Sequence, residues 1–242
     1  MEQFVLDVGS MPPETVEALG AAFLDRGAIL GGSAQADLAE FVRCVYVMEY
    51  TQRIRAMATR LLGGELVDPL GSRDTTAAAD DDHDDDHDGD ADTMRAVLSE
   101  YQEAVVRGTS VDPTTTELVR LRCARTHRCT ICSTLRLADA RREGVDDDLT
   151  SQIDFYERSN LPEAVKAALR ITDACIIRPD LLTDAVVDQA CELYSEEQVA
   201  ELLLDVSKWS TQKINVSLGT DGLGDLEVNE DGVAFFGFDE RG

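Results

Sequence analysis

The apolar residues of this chain recur at intervals of three or four positions, which is the period of an α-helix that buries one face. The clearest case runs from about Ala36 to Leu62, where apolar residues stand at 38, 41, 45, 48, 54, 57 and 61 before Gly63 and Gly64 end the pattern. We see no pattern typical of a parallel sheet. The sequence therefore predicts an all-α fold, a bundle of helices.

Proline, glycine and capping residues predict where the other helices begin and end. Two capping boxes, Thr114 with Glu117 and Ser195 with Gln198, mark helix starts. Together these patterns predict helices at about 12–26, 93–107, 114–128, 129–143, 162–178, 183–194 and 195–218.

The charge of the chain is strongly acidic. It has 48 acidic and 22 basic residues, a formal net charge of -26, and only three of its cations are lysines. Such a surface repels nucleic-acid phosphates and anionic lipids, so we expect neither nucleic-acid nor membrane partners. Acidic enrichment with few lysines is typical of proteins from halophiles that accumulate salt. Without a secretory signal or a spanning segment, we expect a cytoplasmic protein with reduced cysteines.

The segment 72–93 separates two helical parts of the chain. Nine of the thirteen residues 80–92 are aspartate, and their repulsion predicts a disordered linker. A calcium-binding EF-hand loop opening at Asp84 fails at its twelfth position, where Arg95 replaces the required glutamate. We therefore divide the chain into an N-terminal helical region at 1–71, the acidic linker at 72–93, a helical domain at 94–220 and a tail at 221–242, of which 233–238 should dock as an extended segment.

The N-terminal region contains a short segment that is similar in sequence to part of the helical domain. Residues 40–43 (Glu-Phe-Val-Arg) resemble 117–120 (Glu-Leu-Val-Arg), and each lies near the start of a long helical stretch. In an ungapped alignment of the two segments, Cys129 and Cys132 align with Gln52 and Arg55 of the N-terminal region. The N-terminal region is either a degenerate repeat that has lost its thiols or a chance likeness.

The chemistry of the chain centres on Cys129 and Cys132. They lie within 117–142, a stretch with seven arginines and two acids and thus a net charge of +5, and nearby positive charge stabilises a thiolate. Two cysteines three positions apart at a helix start also feel the positive end of the helix dipole and share one face. They can therefore close a disulfide, which is what dithiol redox chemistry requires.

Zinc binding is the alternative for the same stretch, because it offers four groups of the ligand type, Cys123, His127, Cys129 and Cys132. The helix that carries Cys123 and His127 would have to turn at once into the CxxC helix. This leaves little room for four ligands to surround a zinc ion tetrahedrally. We therefore predict no metal and no cofactor. The other three cysteines are expected to be buried in apolar helix faces: Cys44, Cys175 and Cys191.

Taken together, these motifs resemble the AhpD-like family, which also contains the carboxymuconolactone decarboxylases. The likeness covers about 95–220 and rests on Glu117-Leu-Val, Cys129-Thr-Ile-Cys132, 137–144, 169–174 and 195–215. It implies an all-α bundle, assembled as trimers or hexamers, that reduces hydroperoxides with electrons from an external dithiol or lipoyl-type donor. Members that decarboxylate lactones usually lack the cysteine pair, so the CxxC motif favours redox activity.

The resemblance also implies roles for single residues. Cys132 is the thiolate that attacks the peroxide, Cys129 resolves the sulfenate into a disulfide, and Glu117 belongs to a proton relay. Family members generally carry a histidine four residues after the second cysteine, where this chain has Arg136. Arginine can stabilise a thiolate but cannot pass a proton at neutral pH, so His127 is the candidate substitute. Two alternatives stay open, a non-catalytic or redox-sensing homologue and a lactone decarboxylase that needs neither thiol.

Overall fold

The computed structural model describes residues 4, 7–30, 34–63, 87–222 and 234–236. The described α-helices are α1 (Pro13–Leu30), α2 (Ala34–Leu62), α3 (His87–Val105), α4 (Pro113–His127), α5 (Thr130–Thr134), α6 (Ala138–Arg142), α7 (Asp147–Ser151), α8 (Glu163–Ile176), α9 (Asp184–Leu193), α10 (Glu196–Ser210) and α11 (Gln212–Leu218). Two short strands are β1 (Leu135–Leu137) and β2 (Ala234–Phe236), and 3-10 segments lie at Val8–Ser10, Gln152–Arg158 and Pro179–Leu181. The predicted all-α class is confirmed.

Helices with strong local patterns begin close to where the sequence predicts. Helix α2 covers the predicted 36–62, starting two residues earlier. At the start of α10, Ser195 Oγ accepts a hydrogen bond from the Gln198 backbone at 3.2 Å, and Gln198 Oε1 accepts one from the Ser195 backbone at 3.0 Å. This confirms the capping box. The prediction of one helix to Leu218 was wrong, because α10 ends at Ser210 and α11 begins after Thr211.

The start of α4 differs from the prediction. Its N-cap is Asp112, whose carboxylate accepts hydrogen bonds from the backbone and the hydroxyl of Thr115 at 3.0 and 2.6 Å, and Pro113 occupies the first turn. The capping box of Thr114 with Glu117 was therefore wrong. Glu117 is instead completely buried inside the bundle, so its carboxylate is available to the site rather than to a helix end.

The single helix predicted for 129–143 was also wrong. This stretch is divided into α5, β1 and α6. Strand β1 pairs in parallel with β2, with Leu135 opposite Ala234 and Leu137 opposite Phe236. The expectation of no parallel strand fails here, whereas the predicted docking of the tail as an extended segment is confirmed for Ala234–Phe236. The backbone of β1 forms its ladder with a segment far along the chain, so local helix propensity does not decide its conformation.

The N-terminal helices share one apolar core with the helices around the thiol pair. Residues from α2, α4, α8 and α10 belong to one buried cluster, including Val42, Tyr46, Met57, Val119, Ile171 and Val206. Arg53 of α2 adds a polar link, because Nη1 donates to the carbonyls of Cys175 and Ile176 at 2.8 and 2.9 Å. These carbonyls end α8, where a cation is favourable.

Most of the predicted acidic linker, including the opening of the calcium-loop candidate at Asp84, lies outside the described residues. Helix α3 begins at His87, within the segment assigned to the linker and earlier than the predicted residue 93. Among the helices that the structure describes, none has both the length and the apolar character needed to cross a membrane.

Candidate active site

A left-handed residue at the end of α4 turns the chain into the CxxC motif. Arg128 has a φ of 55°, and the backbone N–H of Cys129 donates to the Ala124 carbonyl at 3.0 Å. The Arg128 side chain lies against Gly9, where an added Cβ would come within 2.7 Å of it, and Nη1 donates to Ser10 Oγ at 2.7 Å. The N-terminal segment thus contacts the turn that positions the two thiols.

The start of the CxxC helix, α5, is capped by a residue that follows α11. Asp221 Oδ2 accepts a hydrogen bond from the Thr130 backbone at 2.9 Å, and the Asp221 carbonyl accepts one from Ile131 at 3.0 Å. These are two of the N–H groups that a helix start leaves without an intrahelical partner. The first thiol residue, Cys129, is the N-cap position of α5, and Cys132 lies in its first turn.

The two thiols have different surroundings. Cys129 is completely buried and Cys132 is partly exposed, and both are free thiols. The hydrogen bond from the Cys129 thiol, with the charges of Arg120 and Lys208, lowers the pKa of Cys132, although burial and Asp221 oppose this shift. The same hydrogen bond and burial raise the pKa of Cys129. The arrangement therefore makes Cys132 the more readily ionised of the two thiols, whereas Cys129 keeps its proton.

A buried ion pair holds the backbone of the CxxC helix. Arg120 donates from Nε and Nη2 to the two carboxylate oxygens of Glu117 at 2.6 and 2.9 Å. Its Nη1 donates to the carbonyl of Cys132 at 2.8 Å, and Nη2 also reaches the carbonyl of Leu135. Both charged side chains are only 1% exposed. Glu117 therefore acts on the thiol helix through Arg120, which also places a positive charge near Cys132.

Helix α10 places a second cation beside this pair. Lys208 Nζ lies 3.0 Å from the centroid of the Trp209 ring, and the guanidinium carbon of Arg120 lies 5.7 Å from the same centroid. Burial, with a contribution from Arg120, lowers the pKa of Lys208 to about 7. One turn earlier, burial, with a contribution from Glu201, raises the pKa of Asp205 to about 7. Two groups that titrate near neutrality thus lie in one turn of α10.

A cavity of about 570 Å³ borders this part of α10. Asp205, Trp209 and Leu137 line it, together with the end of α3 and the start of α4. Asp205 is 3% exposed, and its Oδ2 atom has no hydrogen-bond partner among the described residues. A carboxylate of this kind costs free energy unless it is protonated or a ligand approaches it.

The structure places His127, the candidate substitute for the relay, beside Ser210 of helix α10. It is buried, and its Nε2 atom lies 3.2 Å from Ser210 Oγ. Burial, with the charges of Lys213 and Arg53, holds the pKa of His127 well below its ordinary value. The imidazole is therefore neutral at physiological pH and sits among residues of α2, α10 and α11.

Arg136 lies in β1 rather than one helical turn beyond Cys132. Its Nη1 atom donates to the carbonyls of Ser133 and Leu135 at 2.6 and 2.9 Å. The side chain therefore turns back on the end of the CxxC helix. The cations that contribute most to lowering the pKa of Cys132 are Arg120 and Lys208.

The remaining cysteines have separate environments. Cys123 and Cys175 are buried, and burial raises the pKa of Cys123 above its ordinary value and that of Cys175 to about 12. Cys44 and Cys191 are exposed, so the expectation of burial was wrong for these two. Across the part of the chain that the structure describes, no three His, Cys, Asp or Glu side chains are grouped to hold a metal ion.

Sequence reasoning missed Lys208, Trp209 and Asp221, and it counted Arg120 only as one of seven arginines. One pattern could have indicated Lys208. The chain has only three lysines, so each of them could have been considered individually. The three lysines are all buried: Lys166 at 9%, Lys208 at 8% and Lys213 at 1% exposure.

Comparisons with known proteins find similarity in this region of the chain. Residues 92–153, which contain Glu117 and both thiols, match the model of the carboxymuconolactone decarboxylase family. An uncharacterized protein found in two strains of Mycobacterium tuberculosis is 32% identical over 203 residues, covering 81% of this chain and 68% of the relative. The uncharacterized protein YdfG of Bacillus subtilis is 27% identical over 127 residues. The match covers 48% of this chain and 82% of YdfG. No solved structure matches the chain.

Proposed function

Because this chain belongs to the carboxymuconolactone decarboxylase family, we propose that it is a thiol peroxidase that reduces hydroperoxides through Cys132 and Cys129. The observation that carries the proposal is the asymmetry of the thiol pair. Cys132 is partly exposed and its pKa is lowered, whereas Cys129 is buried, protonated and hydrogen-bonded to it. One thiol is thus prepared to attack and the other to resolve.

The reaction has two steps on the protein. The Cys132 thiolate attacks the terminal oxygen of the hydroperoxide, the O–O bond breaks, and a sulfenic acid forms while an alcohol leaves. The Cys129 thiol then attacks the sulfenic sulfur, which yields the disulfide and water. An external dithiol, of the soluble or lipoyl type, reduces the disulfide and regenerates the Cys132 thiolate.

Glu117 and Arg120 act as positioning residues in this proposal. Arg120 binds the carbonyl of Cys132, so the attacking thiol keeps its place when substrate approaches. The carboxylate of Glu117 balances the guanidinium charge within the bundle. In this proposal Glu117 acts through the position of Arg120, which binds both of its carboxylate oxygens, and not as the proton relay that the family resemblance implies.

The test is hydroperoxide consumption in molar salt with a dithiol as electron donor. Wild type should turn over, Cys132→Ser should lose turnover, and Cys129→Ser should be slowed because the sulfenate lacks its resolving thiol. Cys44→Ser is the matched control, since Cys44 is an exposed cysteine on α2. Equal turnover by Cys132→Ser and wild type would overturn the proposal, and lactone decarboxylation by Cys132→Ser would favour the thiol-independent activity.

The assembly into trimers or hexamers also remains a proposal. Light scattering coupled to gel filtration in molar salt measures the subunit number directly. A monomer at micromolar concentration would contradict this part of the family resemblance.

A further inference from the structure

The three lysines of the chain have different surroundings. Lys213 donates to both carboxylate oxygens of Glu49 at 2.8 Å. Lys166 donates to Glu163 at 3.0 Å. Each of these lysines is a partner in an ion pair, which offsets part of the cost of burying its charge. Lys208 lies elsewhere, on the side of the bundle that holds the CxxC helix.

The position of Lys208 is defined by an aromatic ring and two neighbours. Its Nζ atom lies over Trp209, 3.0 Å from the ring centroid, and Arg120 lies near the same ring. Arg120 in turn donates to the carbonyl of Cys132 at 2.8 Å. This chain of contacts links the Lys208 ammonium to the backbone of Cys132, and the charge of Lys208 contributes to lowering the pKa of that thiol. The side chain is 8% exposed, so bulk water does not dominate its surroundings.

We propose that Lys208 is the acid that protonates the leaving oxygen when the Cys132 thiolate attacks a hydroperoxide. This inference rests on the proposed peroxidase function and assigns the proton that the reaction needs. The sulfur–oxygen bond forms, the O–O bond breaks, and the Lys208 proton goes to the alkoxide, which leaves as an alcohol. Lys208 regains a proton when the donor dithiol reduces the disulfide, because that step regenerates the Cys132 thiolate and releases one proton.

The other polar groups around Cys132 are less suited to this step. Arginine stays protonated at physiological pH, so Arg120 and Arg136 stabilise charge without giving up a proton. His127 is buried and neutral beside Ser210. Cys129 must keep its thiol for resolution of the sulfenate. Lys208 combines a position near the thiol with an ammonium that can transfer its proton.

The electrostatic surroundings of Lys208 support the same role. Burial and the charge of Arg120 from α4 lower its pKa to about 7, whereas Asp205 from its own helix and Cys132 from α5 act in the opposite direction. An acid works best when its pKa lies near the working pH. Asp205 lies one turn away on the same helix and lines the cavity.

The test compares two oxidants whose leaving groups differ in their need for a proton, each measured relative to wild type. An alkoxide from tert-butyl hydroperoxide needs one, whereas acetate from peracetic acid leaves without one. Single-turnover oxidation of Cys132 is measured by quenching and mass spectrometry for wild type, Lys208→Arg and Lys208→Met. Lys208→Arg keeps the positive charge but removes the transferable proton. Lys166→Met is the control for loss of a buried lysine on α8.

We expect Lys208→Arg to react about 100-fold more slowly with tert-butyl hydroperoxide, the scale of general acid catalysis, and within about fivefold of wild type with peracetic acid. The decline of the wild-type hydroperoxide rate above neutral pH should disappear in this variant. Equal losses with both oxidants, or no loss with either, would overturn the role of Lys208 while leaving the peroxidase function intact. If wild-type Cys132 is alkylated by iodoacetamide but reacts with neither oxidant, the proposed function fails and this inference fails with it.

Discussion

Arg120 connects Glu117 to Cys132 across the interior of the bundle. Its Nε and Nη2 atoms hold the Glu117 carboxylate at 2.6 and 2.9 Å, while Nη1 donates to the Cys132 carbonyl at 2.8 Å. Charges buried to this degree are tolerated only when they are paired and hydrogen-bonded. The position of the attacking thiol is therefore coupled to an ion pair on α4, one helix away in the sequence.

The first prediction concerns this ion pair. Arg120→Met leaves the buried Glu117 carboxylate without its partner, so the free energy of unfolding should fall by about 3–5 kcal/mol. The double variant Glu117→Leu with Arg120→Met removes both charges and should recover most of that loss. Denaturant titration in molar salt measures both values. Equal destabilisation of the single and the double variant would show that the unpaired carboxylate is not the cause.

The second prediction concerns the cap of the CxxC helix. The negative charge of Asp221 acts to raise the pKa of Cys132. Asp221→Asn keeps an acceptor for the Thr130 backbone but removes the charge, so the pKa of Cys132 should fall. Cys132 is then a thiolate at lower pH, and the midpoint of its iodoacetamide alkylation profile should move to lower pH.

The matched control for this change is Asp146→Asn, because Asp146 caps α7 through the Leu149 backbone at 2.8 Å. It should leave the Cys132 profile unchanged. A midpoint that rises in Asp221→Asn would mean that the charge of Asp221 does not act on the thiol in the way described.

The third prediction concerns Arg136. Since its guanidinium binds the carbonyls of Ser133 and Leu135, Arg136→Ala should keep the rate of Cys132 alkylation at neutral pH within about twofold of wild type. Lys208→Met should slow the same reaction more, because Lys208 contributes directly to lowering the Cys132 pKa. A tenfold slowing in Arg136→Ala alone would instead assign thiolate stabilisation to Arg136, as its positive charge suggested from the sequence.

The fourth prediction concerns salt. With a net charge of -26, the chain repels itself over a screening length of about 10 Å at 0.1 M salt and about 3 Å at 1 M. The melting temperature should therefore drop as salt falls below about 0.5 M. Thermal melts in sodium chloride and potassium chloride series test this. A melting temperature that does not depend on salt would contradict the predicted adaptation to high salt.

Local patterns predicted those parts of the fold that depend on neighbours in the sequence. The apolar period of α2 and the capping box at Ser195 were sufficient because each involves residues within one or two helical turns. The break at Leu135–Leu137 could not be predicted in this way, since its backbone partner is Ala234–Phe236. Long-range pairing of this kind overrides local helix propensity.

The same limit applies to the site. The thiol pair and its positive surroundings were evident from Cys129, Cys132 and the arginines around them. The contribution of Lys208 to the Cys132 pKa was not evident, because Lys208 lies on α10, far from the motif in the sequence. The cap by Asp221 was not evident either, because Asp221 follows α11. Arg136 was singled out because it stands where the family generally has a histidine, four residues after Cys132. Its placement in β1 depends on pairing with the tail strand, which lies far away in the sequence.

The most direct measurement of the central claim is the fate of Cys132 after one equivalent of hydroperoxide. In Cys129→Ser, dimedone should label Cys132 as a trapped sulfenic acid, and in wild type the peptide carrying both thiols should lose two hydrogens as the disulfide forms. Mass spectrometry in molar salt resolves each cysteine separately. If Cys132 stays reduced in both proteins while the exposed Cys44 or Cys191 is oxidised, the account of a peroxidatic Cys132 is contradicted.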